Sequence, residues 1–515
     1  MEVVRHGVPT PPVSFGRPLA DVRDRFGGSA VAVSADFAVR LREVCPRVDT
    51  DVGARIEAGR DWWPGSVRWA LDGEVPVRAG VVARPVSAES VAAVLALCDS
   101  ARVPVTASAG RSGVSGGSVP VFGGVALDMT GLAGIIGVDE QSLLVTVGPG
   151  TFGDEFEATL RRDHGLTVGH WPQSMNLSTV GGWVACRGAG QYSTRYGKIE
   201  DIVAGLQVAR ADGRLLRTGG VAPRCATGPD LTQVFLGSEG TLGVITEVTL
   251  RAHPVPAAER RAAFGFASFA SGLDACRRLL RRGATPAVLR LYDGHESRSS
   301  FGVDDACVLI VLDEGDAALI DAVMTVVASE CASAVVLDPS LVQHWWERRQ
   351  DVSALETAVR AGLTVDTIEV AASWSVLPGL FQDVIAGVGA VAGTLIVSAH
   401  QSHTYSDGAC LYFTFAGLPT EGGGGGAGSG GDGNESAGDS YYRRVWDLVM
   451  ALTMSQGATI SHHHGIGLNR GRYLPEALGS AFEVLVALKQ ALDPNGILNP
   501  GKLGLPSPFG DAPWP

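Results

Sequence analysis

Three glycine-rich loops constrain the fold of this chain more than any other feature of the sequence. They lie at 108–117, 169–190 and 237–245, and each is flanked by apolar, strand-like runs. Glycine lets a backbone approach another group without an intervening side chain, and the serines and threonines add short donors and acceptors. Loops of this composition suit a large polar ligand better than a hydrophobic core. The sequence therefore predicts one extended ligand held at three points.

The composition predicts a soluble, cytoplasmic protein with more than one domain. At 515 residues the chain exceeds a usual single domain, and its 45% hydrophobic share is ample for cores. A net charge of −13 argues against binding to nucleic acid or to an anionic membrane, because both need a cationic face. The eight cysteines include no CxxC pair, which predicts reduced and mostly buried thiols. The first residues also lack the apolar core of a signal peptide.

Strand and helix signals divide the chain into four parts. These are an N-terminal lobe (1–75), a first domain of mixed strands and helices (76–256), a second domain (257–460) and a C-terminal segment (461–515) that packs back on the other two. The second domain alternates strands with amphipathic helices, which suits a sheet covered by helices. Within it, residues 421–434 are mostly glycine and are predicted to form a flexible inserted loop.

A GxGxxG match spans Gly148–Gly153, after one strand-like run and before a helix. A dinucleotide site would require an acidic residue about 20 positions further on, at the end of the next strand. The next strand-like run instead ends at His170. The glycines are therefore interpreted as a tight strand-to-helix turn.

Three adjacent histidines, His462, His463 and His464, form the strongest chemical signal outside the loops. In an extended chain the first and third face one way and the second the other. Because no Asp, Glu or Cys nearby completes a zinc set, no metal site is predicted. Imidazoles beside glycines, ahead of Arg470, favour anion binding or proton transfer over a satisfied core or surface run.

Two further residues are candidates on less evidence. Tyr412 alternates in a strand with Thr414 on one face, and an aromatic residue at such a position is more often part of a core. Arg290 lies between Leu289 and Leu291, so its guanidinium must be paired or must face a polar pocket.

Taken together, the motifs resemble the vanillyl-alcohol-oxidase type of FAD-binding flavoprotein, and within it the alkyldihydroxyacetone-phosphate synthase branch. The motifs are GHWPQSMNLSTVGGW (169–183), GSEGTLGVITE (237–247), LRLYD (289–293), TYSDGACLYF (404–413) and SHHHGIG (461–467). The resemblance covers about 55–503. It implies an α+β fold in which a two-subdomain FAD-binding domain is joined to an α/β cap domain whose sheet is covered by helices. The first loop holds no histidine for a covalent link, so non-covalent FAD is implied.

The resemblance assigns FAD binding to small and polar residues of the three loops. In the first loop, backbone N–H groups would cradle the pyrophosphate, which needs little side chain. The implied residues are Ser108, Ala109, Gly110, Arg111, Ser112, Gln173, Ser174, Ser178, Thr179, Gly182, Arg187, Glu239, Gly240 and Ile245.

In the synthase branch, a fatty alcohol replaces the acyl chain of acyl-dihydroxyacetone phosphate through a flavin N5 adduct, giving an ether-lipid precursor. The resemblance implies that Tyr412 and the histidine triplet are catalytic. It implies further that the substrate phosphate is held by Arg290, Arg470 and His400. A phenol with an ordinary pKa near 10 needs a cation close by to act at neutral pH. The triplet and Arg290 are expected to supply it.

This sequence departs from the synthase pattern at three places. Its first loop reads Ser-Ala-Gly-Arg-Ser instead of Gly-Gly-Gly-Thr-Ser, His400 replaces an arginine and Leu468 replaces a lysine. The alternative interpretation is an FAD-dependent oxidoreductase of a 2-hydroxy acid or an alcohol, and a third is a non-catalytic flavin binder. The expected partner is a small lipid or hydroxy-acid substrate and not a nucleic acid. Peripheral membrane contact and a homodimer stay open.

Overall fold

The computed structural model of the chain describes residues 14–220, 222–352, 354–418 and 436–513. The described residues form two compact units. Unit 1 comprises 14–188, 198–254 and 463–513, and unit 2 comprises 189–197 and 255–462. The glycine-rich insertion predicted at 421–434 lies outside the described residues.

Unit 1 contains a four-stranded sheet in which three strands run parallel. The order across this sheet is Val48–Asp49, Val81–Ala83, Val125–Asp128 and Val105–Ser108. The helix Ala88–Ala101 begins after Ser87, whose side chain accepts a hydrogen bond from the backbone N–H of Ser90. Its buried residues include Val91, Val94, Leu95 and Cys98. The sequence alone predicts both features, since Ser87 precedes a run in which these four apolar residues share one helical face. Both predictions are confirmed.

A second sheet of unit 1 has five antiparallel strands. Their order is Leu215–Gly219, Val203–Ala209, Val244–Arg251, Leu144–Val147 and Ile135–Asp139. The sequence predicts a hairpin here, since the polar turn Ala211-Asp212-Gly213 separates two apolar runs. It is confirmed, because Val208 pairs with Leu216. Each sheet has its own apolar core, and Trp183 lies in the core of the five-stranded sheet.

The interpretation of Gly148–Gly153 as a tight turn is confirmed by the strand pairing. The preceding strand, Leu144–Val147, pairs antiparallel with both of its neighbours, whereas a dinucleotide site requires a parallel strand. A Cβ atom on Gly150 would lie 2.1 Å from the carbonyl oxygen of Met129. The glycine is therefore needed for a backbone-to-backbone approach.

The rest of unit 1 consists of helices and short strands. Its other helices are Ala35–Val44, Val52–Glu57, Pro64–Leu71, Gly153–His164, Val180–Ala185, Ile199–Ile202, Leu231–Phe235, Leu474–Leu478 and Ala481–Leu492. Its other strands are Arg23–Asp24, which pairs with Glu74–Val75, and Leu166–Thr167, which pairs with His253–Pro254. Single 3-10 turns occur at Leu19–Asp21, Gly27–Ser29, Met129–Gly131 and Gly471–Tyr473.

Unit 2 is organised around one seven-stranded sheet in which every pair of neighbours is antiparallel. The order is Val335–Leu337, Ala258–Phe266, Cys307–Gly315, Val288–Tyr292, Thr394–Thr404, Gly408–Gly417 and Thr364–Ser373. The helices of unit 2 are Ser193–Tyr196, Phe269–Arg281, Gly294–Phe301, Ala317–Glu330, Ser340–Arg348, Ala354–Arg360, Leu377–Gly389 and Ala437–Ser455. Among the described residues, no helix is both long enough and apolar enough to cross a membrane.

The units differ from the sequence-based division in three places. The predicted C-terminal segment is divided, since 461 and 462 belong to unit 2 and 463–513 to unit 1. Residues 14–75 belong to unit 1 and form no separate lobe, because Val48–Asp49 is an edge strand of its four-stranded sheet. Residues 189–197 were placed in the first domain but belong to unit 2. The guanidinium of Arg195 binds both carboxylate oxygens of Asp313 at 2.8 and 2.7 Å, which ties this segment to the central strands of the sheet.

The Arg195–Asp313 pair provides a test of this assignment. The carboxylate is fully buried, so Arg195→Ala leaves a buried charge without its cation. We expect the unfolding free energy of unit 2 to fall by about 3 to 5 kcal/mol, measured by chemical denaturation. The control, Arg260→Ala, breaks an exposed pair with Asp321 and should cost at most about 1 kcal/mol. Equal losses in the two variants would contradict the assignment.

Candidate functional site

The three glycine-rich loops come together in unit 1. A Cβ atom on Gly110 would lie 2.0 Å from the carbonyl oxygen of Leu177, so the first and second loops meet backbone to backbone. The side-chain amide of Asn499 donates to the carbonyl oxygens of Gly117 and Glu239, at 2.9 and 2.6 Å. It thereby joins the first loop to the third. The sequence predicted that the loops act together, and the tertiary structure supplies the contacts.

Glu239 fixes the chain that follows the histidine triplet. Its carboxylate oxygens accept hydrogen bonds from the backbone N–H groups of Ile466 at 2.6 Å and Gly467 at 2.8 Å. Its own φ is +50°, a left-handed conformation that is uncommon for a residue with a side chain. A Cβ atom on Gly465 would lie 2.6 Å from one of these oxygens. Glu239 therefore serves here as an acceptor for backbone donors.

Arg111 is the most unusual residue of the first loop. It is buried, and its three guanidinium nitrogens have no hydrogen-bond partner among the described residues. The hydroxyl of buried Ser108 is likewise without a partner there. Burial lowers the pKa of Arg111 to about 10. A guanidinium in such surroundings provides donors for an anion.

Several predicted residues of the second loop hold the loop itself. Ser178 accepts a hydrogen bond from the indole N–H of Trp183 at 2.7 Å and donates to the carbonyl oxygen of Ser174. Thr179 caps the helix Val180–Ala185. Gln173 is exposed, and Arg187 is exposed and pairs with Glu200 at 3.5 Å. The other predicted residues, Ala109, Ser112, Gly182, Gly240 and Ile245, lie on the three loops or at the start of the elements that follow them.

The structure divides the histidine triplet between the two units. His463 and His464 belong to unit 1, where their ring centroids are 4.5 Å apart and the angle between the ring planes is 69°. Arg470, also in unit 1, is fully buried and donates to the carbonyl oxygen of Gly465 at 3.2 Å. His462 belongs to unit 2, and its Nε2 lies 2.9 Å from the hydroxyl of Tyr405. The roles implied for these four residues stay predictions.

In unit 2, Arg290, His400 and Glu296 form a hydrogen-bonded row. The Nη2 atom of Arg290 lies 2.8 Å from Nε2 of His400, and Nδ1 of His400 lies 2.8 Å from Glu296. Arg290 also donates to the hydroxyl of Tyr292 at 3.0 Å. Although burial opposes it, the hydrogen bond from His400 and the charge of Arg290 hold the pKa of Glu296 below its usual range. Of the two alternatives for Arg290, pairing or a polar pocket, the structure shows pairing.

Local sequence explains how Glu296 reaches this row. Asp293 ends the strand Val288–Tyr292 and caps the helix Gly294–Phe301, accepting the N–H of Glu296 at 2.8 Å. Its other carboxylate oxygen accepts the N–H of Ala399 at 2.7 Å, on the strand that carries His400. One capping aspartate thus sets the position of Glu296 opposite His400.

Tyr412 does not have the environment expected of an acid or base. Its hydroxyl accepts a hydrogen bond from Thr367 at 3.1 Å, and the ring stacks on His400 at 4.9 Å. Removal from water raises the pKa of the phenol well above its ordinary value, and the carboxylates of Glu369 and Asp366 add to this effect. The pKa of Tyr412 is thus raised and not lowered, and Arg290 donates to His400 and Tyr292. The catalytic role implied for Tyr412 stays a prediction.

Sequence reasoning missed five polar residues of unit 2 that contact the predicted residues or one another. Glu296 could have been found from the capping signal of Asp293, which places a residue three positions later in the first turn of a helix. Tyr292, His403 and Tyr405 lie within or beside the quoted motifs, but no spacing marks them as partners. Ser193 comes from a segment assigned to the other domain. The missed residues are Tyr292, Glu296, Ser193, His403 and Tyr405.

Comparisons with known proteins agree with this geometry. Residues 79–219 match the family "FAD binding domain", and residues 255–503 match "FAD linked oxidases, C-terminal domain". An uncharacterized FAD-linked oxidoreductase, YgcU of Escherichia coli O157:H7, is 31% identical over 446 residues, covering 83% of this chain and 89% of the relative. The alkyldihydroxyacetonephosphate synthase of Dictyostelium discoideum is 28% identical over 475 residues, covering 84% and 74%. A solved alkyldihydroxyacetonephosphate synthase superposes with a TM-score of 0.77 at 23% identity, covering 97% of this chain and 89% of that one.

The first loop fits FAD in charge and in shape. The donors of Arg111 and Ser108, which have no partner in the described part of the chain, are of the kind that a pyrophosphate requires. Gly110 has no room for a side chain, so the backbone there is closely packed and its position is fixed. FAD is the cofactor of this protein, and the first loop holds the groups suited to its phosphates.

A pair of glycine variants tests whether Glu239 organises the site. Gly465→Ala places a methyl group against the Glu239 carboxylate and should displace the 465–467 backbone, lowering bound FAD and the melting temperature. Gly457→Ala is the matched control, since Gly457 also has positive φ, at +69° against +80°, but has open space at Cβ. The readout is the ratio of flavin to protein absorbance. Equal effects of the two variants would contradict the role of Glu239.

Proposed function

Because the chain belongs to the FAD-linked oxidoreductase family, we propose that it oxidises a small anionic hydroxy compound, of which a 2-hydroxy acid is the simplest case. The observation that carries this proposal is the row Arg290–His400–Glu296. It combines a guanidinium suited to a carboxylate with an imidazole oriented by a buried acid.

The direction of the hydrogen bonds in the row fixes the form of His400. A guanidinium can only donate, so Nε2 of His400 accepts from Arg290. Its Nδ1 must then carry the proton and donate it to Glu296. The ring is thus a neutral imidazole whose lone pair points at Arg290. Such an imidazole can accept a proton at Nε2 once the Arg290 guanidinium leaves it to bind an anion.

A substrate carboxylate would compete with His400 for the donors of Arg290. When the carboxylate takes these donors, the lone pair on His400 Nε2 becomes available to the substrate hydroxyl. His400 then accepts the hydroxyl proton, and Glu296 stabilises the imidazolium that results. FAD, when bound, supplies the acceptor for the hydride that leaves the same carbon. Binding of the anion and release of the base are coupled in this arrangement.

Tyr412 contributes to this proposal as a neutral phenol. Its raised pKa favours the protonated hydroxyl, so the role of the base is given to His400. Stacked against His400 at 4.9 Å, the ring limits how the imidazole can turn. Tyr412 is in this view a positioning residue for His400.

A second candidate is the exchange of an acyl chain for a fatty alcohol on a dihydroxyacetone phosphate ester. The motifs around Tyr412 and the histidine triplet favour it, as does the 28% identity to a synthase across 84% of this chain. In that reaction Arg290 and His400 would hold a phosphate in place of a carboxylate. The same residues would therefore serve a different substrate, with no net oxidation.

The two candidates separate in one anaerobic experiment on the FAD-loaded protein. We expect a 2-hydroxy acid such as lactate or glycolate to bleach the visible flavin absorbance. Palmitoyl-dihydroxyacetone phosphate with hexadecanol should release no palmitate. Palmitate release without bleaching by any hydroxy acid would reject oxidation and support the synthase.

Variants of the row then assign the roles. Arg290→Met should lower kcat/KM by about 10- to 100-fold, mainly through KM, because it removes a charge-assisted hydrogen bond. His400→Asn should lower kcat by about 100-fold or more with flavin content unchanged. Arg277→Met, which breaks an ion pair with Asp274 on a surface helix, is the control and should behave as wild type. Normal kcat in His400→Asn would remove this residue from the chemistry.

We also propose that the FAD is held without a covalent bond, since the first loop contains no histidine. Denaturing the yellow protein and removing the precipitate should leave all of the flavin in the supernatant. Yellow precipitate after washing would contradict this.

A further inference from the structure

Four side chains of unit 2 form a continuous series of hydrogen bonds between two histidines. Nδ1 of His403 lies 2.9 Å from the hydroxyl of Ser193, which lies 3.4 Å from the hydroxyl of Tyr405. The hydroxyl of Tyr405 lies 2.9 Å from Nε2 of His462. His403 and Ser193 are buried, whereas Tyr405 and His462 are partly exposed. The series therefore leads from the interior of unit 2 towards its surface.

A β-bulge turns His403 into this series. The pairing of its strand with Gly408–Gly417 shifts register between Ser402 and Thr404, and His403 has a φ of +48°. A non-glycine residue in the left-handed region at a bulge is a local strain that re-aims a side chain. Thr404, next in the chain, donates its N–H to the hydroxyl of Thr194 at 3.3 Å. The bulge is thus attached to the segment that carries Ser193.

The other end of the series is fixed by Glu369. The carboxylate of this buried residue accepts the backbone N–H of His462 and the hydroxyl of Ser461. Near Ser193, the charge of Arg195 is balanced by its two hydrogen bonds to Asp313. Both histidines are therefore held by backbone constraints that do not depend on the protonation of their rings.

Each hydroxyl in the series can donate one proton and accept another, so the series has two equivalent directions. In the first, His403 donates from Nδ1 to Ser193, Ser193 donates to Tyr405, and Tyr405 donates to Nε2 of His462. In the second, every donor and acceptor is exchanged. We propose that Ser193 and Tyr405 form a proton wire that couples His403 to His462.

The proton balance of one transfer is simple. A proton binds Nε2 of neutral His403 and makes it an imidazolium. Its Nδ1 proton passes to Ser193, the Ser193 proton passes to Tyr405, and the Tyr405 proton passes to Nε2 of His462. His403 is then neutral again, and His462 becomes an imidazolium that releases its Nδ1 proton. No electrons move, and one proton is carried across.

Ring stacking limits the wire to one excess proton at a time. The rings of His403 and His462 are stacked, with 4.9 Å between their centroids and 25° between their planes. Two imidazolium charges at this separation repel each other strongly, so the second ring gains its proton as the first ring loses one. In turnover the wire would carry away the proton that oxidation of a hydroxyl liberates. This use rests on the proposed function, whereas the wire itself does not.

The wire can be tested in the resting protein, without any substrate. We expect nitrogen NMR of histidine-labelled, FAD-loaded protein at about pH 9, where free imidazole is neutral, to show a correlation between the two rings. His403 and His462 should both carry the proton on Nδ1, or both on Nε2, because either direction of the wire imposes the same tautomer on the two rings. Ser193→Ala and Tyr405→Phe should each remove this correlation, and Ser193→Thr should restore it.

Tyr441→Phe is the control, since it removes the hydroxyl of a fully buried tyrosine of unit 2, bonded to Thr394 and outside the series. It should leave both tautomers unchanged. Opposite tautomers on His403 and His462 in the wild type, or unchanged tautomers in both Ser193→Ala and Tyr405→Phe, would overturn the proposal.

A second readout applies if a substrate reduces the flavin. The dependence of kcat on the fraction of D2O should be curved in the wild type, where several protons move together. It should be linear in Ser193→Ala, with kcat lower by about 100-fold. If no hydroxy acid is oxidised, the tautomer correlation still tests whether the proton wire exists. The wire and the proposed function can therefore fail independently. A wild-type tautomer correlation accompanied by normal kcat in Ser193→Ala would show that the wire is not used in turnover, and would overturn that part of the inference.

Discussion

Polar side chains inside the seven-stranded sheet of unit 2 have to find their partners within the protein, and this constraint shapes the whole candidate site. Arg290 lies between Leu289 and Leu291 on the central strand, where an unpaired guanidinium would cost several kcal/mol. It is satisfied by His400 and Tyr292. His400 is satisfied in turn by Glu296. Each residue of the row provides the hydrogen-bond partner that the residue before it requires. The chemistry of the row therefore follows from the position of Arg290 on the strand.

Hydrogen-bond direction gives these contacts their chemical meaning. Arginine and the backbone N–H group only donate, and an ionised carboxylate only accepts, so a histidine between Arg290 and Glu296 has a single neutral form. Hydroxyl groups both donate and accept, so the series from His403 to His462 has two forms, one for each direction of its hydrogen bonds. The first arrangement holds a base ready, and the second lets a proton move. Both sets of residues belong to unit 2, and in the proposed oxidation the first would supply the base and the second would carry the proton away.

Much of the fold was predictable from local signals. The cap of Ser87, the hairpin around 211–213 and most strands and helices of unit 2 were found, because caps, turns and apolar periodicity are properties of neighbouring residues. The direction of the strands in unit 2 was not predicted, since alternation of strands and helices is compatible with parallel and antiparallel pairing. The helix Gly294–Phe301 was missed because it is short and carries few apolar residues. Assignment of 189–197 failed because Arg195 finds its partner 118 residues away.

The sequence by itself determined that this chain is an FAD-dependent flavoprotein, since the glycine loops and the surrounding motifs are read along the chain. It also identified Arg290, Tyr412 and the histidine triplet as candidates by their residue type and neighbours. Only the tertiary structure decided their partners. His400 reaches Arg290 across 110 residues, and His462 reaches Tyr405 across 57. The contact between His400 and Arg290 depends on strand order and register, because a shift of one residue would turn His400 to the other face of the sheet. The contact between His462 and Tyr405 joins two loops that are brought together only when unit 2 folds.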